Sequence, residues 1–143
     1  MGFSLNHLHH FNHWAILVSA LILWVLGAVW YSPALFAKPW MAALSALNIA
    51  PTGPKKGLAA GMIASFLGDL LVAFALLHVI LWSGAATGFA GAFVAFVCWL
   101  GFIAATQFPQ GIYEGRPTRL FWINNCYWLI GLIIVGALMA VWR

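Results

Sequence analysis

Charge is what this chain has least of: two carboxylates and six Lys or Arg side chains in 143 residues, or 6%. Soluble domains carry roughly 25% charged residues. The chain is also 65% hydrophobic, and a domain of ~150 residues hides only about 70% of its unfolded surface. Water is therefore excluded as the solvent around most of the molecule, and lipid is implied. The net charge of +4 reflects the shortage of carboxylates. No basic patch is interleaved with aromatics, so no nucleic-acid partner is expected.

Other absences exclude chemistry. With Asp69 and Glu114 far apart, there is no paired carboxylate. The sequence has no nucleophile with an adjacent base, no phosphate-cradling glycine loop and no metalloprotease helix. Catalysis needs more convergent polar groups than this, so no enzyme activity and no cofactor are indicated. The two cysteines, Cys98 and Cys126, lie inside apolar runs, where thiols pack as small hydrophobes. The opening MGFSLNHLHHFNH lacks the basic n-region of a secretory signal and is expected to be retained.

What is present is long apolar runs. A bilayer core takes ~20 apolar helical residues, and four stretches qualify: about Trp14 to Tyr31, Gly57 to Trp82, Gly88 to Phe108, and Arg119 to Trp142. The first is expected to end at Ser32-Pro33 and the third at Pro109, because proline disfavours helix in the residue before it. Ser83 to Thr87 allows only a tight hairpin between antiparallel helices. Pro39 is suited to the first turn of a short helix running through WMAALSAL. That segment is too short to cross and apolar enough to lie at the interface, anchored by Trp40. The expected fold is all-α, a single four-span transmembrane bundle with this interfacial helix between spans one and two.

Lys38, Lys55, Lys56, Arg116 and Arg119 all fall in the two loops on one side, against Arg143 on the other. The positive-inside rule then places the basic loops in the cytoplasm and both termini outside. Helices in lipid approach closely through small residues. Gly57, Gly61, Ser65 and Gly68 form such a stripe on the second span, and Gly88, Ala92 and Ala95 on the third; both are expected to be helix-packing seams. Trp14, Trp30, Trp40, Trp82 and Trp142 sit near span ends as an aromatic belt would. Trp24, Trp99, Trp122 and Trp128 are deeper and are expected to pack between helices.

Three segments carry a family resemblance: WYSPALFAKPW at 30–40, WLGFIAAT at 99–106 and EGRPTRLFWINNCYWL at 114–129. Together with the four-span layout, they resemble the bacterial membrane proteins catalogued as domain of unknown function 1761. The resemblance covers nearly the whole chain. It implies a multi-pass membrane protein and supplies no activity, cofactor or catalytic residue.

Three groups of residues are candidate sites. Asp69 lies about twelve residues into its span, roughly 18 Å along the helix, near the bilayer midplane. An ionised carboxylate there costs at least ~2.5–3.5 kcal/mol, so it is expected to face the bundle interior. It serves either as a proton or cation site or as a structural group paired with Asn124, Asn125, Gln107 or Thr106. His9 and His13, at i and i+4, have metal-ligand spacing on a helix, with His78 as a third donor or axial haem ligand. The competing reading is a polar interfacial terminus. Glu114, Arg116 and Arg119, with Lys38 nearby, form the only mixed-charge cluster. It is either a loop clamp or a phosphate or lipid-headgroup site.

The leading expectation is a non-catalytic inner-membrane protein, acting as a homo-oligomer or as an accessory subunit with partner membrane proteins. The alternatives are a small carrier or channel using Asp69, and a metal- or haem-binding protein using His13 and His78.

Overall fold

A computed structural model describes residues 12–49 and 57–142. His9, Lys55, Lys56 and Arg143, named above, lie outside the described residues. The described chain is all helix and loop, with four helices long and apolar enough to cross a membrane.

Helix α1 (His13–Trp30) is opened by Asn12, whose side chain accepts from the backbone N–H groups of Trp14 and Ala15. It stops at the Tyr-Ser-Pro turn, as expected from the proline. The short α2 (Ala37–Ser45) carries Pro39 in its first turn, where the missing N–H has no intrahelical partner to lose. Helix α3 (Leu58–Ser83) ends on Gly84, whose φ of 72° is the left-handed conformation that glycine adopts without a Cβ penalty. Thr87 then caps the next helix by accepting from the Ala90 N–H, which completes the expected tight hairpin.

The third span departs from the sequence reading. It runs as α4 (Gly88–Cys98), a π-helical turn (Trp99–Ala104) and α5 (Ala105–Tyr113), with Pro109 inside α5 rather than at its end. Proline is tolerated in membrane helices where side chains and local π adjustments satisfy the freed backbone groups. The Thr106 hydroxyl bridges two carbonyls of the π turn, those of Phe102 and Ile103, at 2.8 and 3.0 Å. Helix α6 (Thr118–Val141) closes the bundle.

Helix α6 touches every other helix and is the most buried of the four long ones. Its contact with α4 is the tightest. A Cβ added at Gly91 would overlap the Gly136 carbonyl, and one at Gly136 would stand 2.6 Å from the Ala95 Cβ. The seam of the third span is therefore Gly88, Gly91 and Ala95, not the expected Gly88, Ala92 and Ala95. Leu23, Leu77, Ile80, Val135 and Met139, all fully buried, fill the half of the bundle away from the basic loops. Large apolar side chains such as Ile63, Leu71, Phe89 and Phe102 face outward, as a lipid-facing surface requires. Trp122 faces outward with them, 55% exposed. It follows Phe121, whose ring turns inward onto the core, so the expectation of an interhelical Trp122 is corrected.

Candidate functional site

The bundle is closed at one end and splayed at the other. On the side of the basic loops, the C-terminal half of α1, α2, the first half of α3, α5 and the first half of α6 surround an open cavity of about 1040 Å³. Arg116, Ile112, Thr118 and Trp40 stand at its mouth; Trp24, Asp69, Val72 and Trp128 mark its inner end, near the middle of the spans. The apolar layer of Leu23, Leu77 and Val135 seals the bundle beyond it.

The glycine stripe of α3 forms one wall. Gly57, Gly61, Ser65 and Gly68 all line the cavity, and a Cβ added at Gly61 or Gly68 would meet no atom within 4 Å. The expectation that this stripe packs against a helix is corrected: its small side chains widen the cavity.

Asp69 follows Gly68 on that wall and is 4% exposed. No hydrogen bond or ion pair joins it to another described residue. The side chains considered as its partners are engaged elsewhere. Asn124 Oδ1 accepts from the Tyr31 hydroxyl at 2.8 Å. Asn125 Nδ2 donates to Gln107 Oε1 and to the Phe121 carbonyl, each at 3.0 Å. Thr106 bonds its own helix. Asn124 and Gln107 nevertheless share the cavity wall with Asp69, whereas Asn125 lies behind it, fully buried with its Oδ1 unpaired.

The wall is held by bonds onto three successive residues of α6. Trp30 Nε1 donates to the Ile123 carbonyl at 2.9 Å, Tyr31 to Asn124, and Trp99 Nε1 to the Asn125 carbonyl at 3.0 Å. The three segments that carried the family resemblance thus meet on one turn of α6. Tyr127, one turn on, donates to the Leu23 carbonyl at 3.1 Å and lies within electrostatic reach of Asp69.

At the mouth, Arg116 pairs with Glu114, and Gln110 Nε2 donates to Glu114 Oε1 at 2.8 Å. The Gln110 hydrogen bond, aided by Arg116, holds the Glu114 carboxyl below the ordinary glutamate range. Arg119 and Lys38 are exposed, and neither is ion-paired to a described residue. The structure therefore joins two of the four charges in that cluster and adds Gln110, which the sequence reading missed. Its signal was the i, i+4 spacing to Glu114.

The histidines do not converge. His13 is exposed at the start of α1. His78 is buried, with Nδ1 2.7 Å from the Phe74 carbonyl of its own helix and its ring against Phe74 and Trp82. Among the described residues, no three His, Cys, Asp or Glu side chains gather as a metal set.

Four apolar crossing helices around a one-sided cavity define a multi-pass membrane helical bundle. The chain belongs to the family described as Protein of unknown function (DUF1761), whose profile matches residues 14–140. No curated protein and no solved structure matches it.

Proposed function

We propose that this chain is a small carrier that takes up a cationic solute from the face bearing its basic loops and holds it at Asp69. One observation carries the reading: a cavity reaches from that face to a mid-span carboxylate that no described side chain neutralises. Intramembrane ionisable groups facing a cavity are functional by default. The positive-inside rule assigns the open face to the cytoplasm of a bacterial inner membrane, with both termini on the periplasmic side. The sealed half must open, within one chain or between copies, for the solute to cross.

The competing reading is a purely structural role, as a homo-oligomer or an accessory subunit of a membrane complex. Proteoliposomes containing the full chain separate the two. Uptake of at least one cation among protons, potassium and tetramethylammonium, driven by an imposed gradient, is expected, and Asp69→Asn is expected to abolish it. Equal flux in the variant, or none in the parent, leaves the structural role.

A further inference from the structure

One wall of the cavity is built from aromatic rings. Trp40, Tyr31, Tyr127 and Trp128 all line it and form a continuous ladder, with successive ring centroids 5.5, 5.8 and 5.1 Å apart. The ladder runs from the mouth to the level of Asp69. Both tyrosine hydroxyls are spent on Asn124 and Leu23, and the Trp24 indole N–H on the Met62 carbonyl at 3.0 Å. These three rings offer a ligand their π-surfaces rather than their hydrogens.

The charge on the wall is uneven. Among the described residues, Arg116 is the only cation lining the cavity, and it is ion-paired with Glu114 at the mouth. Asp69 at the inner end is the only carboxylate that the described residues place on the wall. An inorganic divalent ion fits poorly, since calcium takes six to eight oxygen ligands and the described residues gather no such set. A proton needs no cavity of this size, whereas about 300–1,000 Å³ accommodates a drug-sized molecule.

We infer that the cavity selects an organic ammonium ion, tertiary or quaternary, seated with its charge against Asp69 and its alkyl groups on the aromatic ladder. Aromatic faces attract such cations through the ring quadrupole without requiring hydrogen bonds. This inference rests on the cation-carrier reading and names the class of its solute.

The test uses the full chain in lipid nanodiscs with benzyltrimethylammonium as the probe. Benzyl alcohol serves as the uncharged comparison. Saturable binding of the ammonium, and none of the alcohol, is expected. Asp69→Asn is expected to weaken it by at least ~10-fold, the order that a desolvated charge contact supplies. Trp40→Leu is expected to cost ~3–10-fold while Trp40→Phe retains most of the affinity, as a cation–π contact would. Gly61→Phe provides a variant that leaves Asp69 in place: its ring enters the cavity, so the protein should fold and lose the probe. Equal binding of the alcohol, or indifference to Asp69→Asn, overturns the inference. No probe binding by the parent chain while it carries Asp69-dependent cation flux overturns the inference alone. Loss of both overturns the carrier reading too.

Discussion

Asn125 reaches from α6 to Gln107 on α5, its Nδ2 donating to Oε1 at 3.0 Å. This bond joins the polar edge of the cavity to the helix segment beyond the π turn. Interhelical hydrogen bonds in membranes average ~0.6 kcal/mol and reach ~1.7. Gln107→Ala leaves Asn125 with the Phe121 carbonyl alone, so a loss of about 1 kcal/mol is expected. Thermal unfolding in detergent measures it, and an unchanged midpoint would show that the bond carries no stability.

The glycines of α3 and α4 should respond in opposite ways. Gly91→Ala drives a methyl group into the Gly136 carbonyl, and overpacking of this kind costs about 1–3 kcal/mol. Gly61→Ala meets nothing within 4 Å and removes a poor helix former, a gain of up to about 1 kcal/mol. A lower unfolding temperature for the first and an equal or higher one for the second is the expected pair.

Glu114 supplies a pH dependence whose sign is fixed by its partners. Its carboxyl is held below the ordinary range, so the clamp's contribution is complete above the unfolded-state value and is lost as pH falls through the lowered one. The window lies on the acid side of the usual glutamate range, and neutral pH should be without effect. The Gln110 hydrogen bond is the largest single cause, and Arg116 adds to it through both its charge and a hydrogen bond. Carboxyl NMR titration should therefore show Gln110→Ala and Arg116→Ala each raising the Glu114 pKa.

Sidedness is testable with cysteines placed at exposed ends. Tyr113→Cys, at a residue 91% exposed beside the cavity mouth, should react with an impermeant maleimide from the cytoplasmic side. Ala86→Cys, in the hairpin after α3, should react only from the opposite side. Both belong in a background with Cys98 and Cys126 replaced by serine. The reverse pattern would place the cavity mouth outside the cell.

Much of the architecture was legible in the apolar runs, because the length of a span is dictated by the bilayer and its ends by Pro33, Gly84 and the charged loops. Pro109 misled because proline is tolerated inside membrane helices, and α5 runs on through it to Tyr113. The stripe at Gly57, Gly61, Ser65 and Gly68 misled for a different reason. Glycine spacing states that a face is smooth and says nothing of what stands opposite, so a packing seam and a cavity wall look alike. Asp69 was visible as an anomaly of charge. Its company of rings was not, since the Tyr31 and Trp40 of one segment meet Tyr127 of another only through tertiary packing.

The π turn at Trp99–Ala104 also sets the aim of everything that follows it. One residue more or fewer turns the rest of a helix by about 100°. Gln107, Gln110 and Gly111 line the cavity because that widened turn rotates them there. Removing a single residue from the six would restore a regular helix and turn Gln107 and Gln110 about 100° away from their present places on the cavity wall. A local irregularity of the backbone thus acts as the indexing device that aims two amides, among the apolar side chains of Phe108 and Ile112, into the cavity.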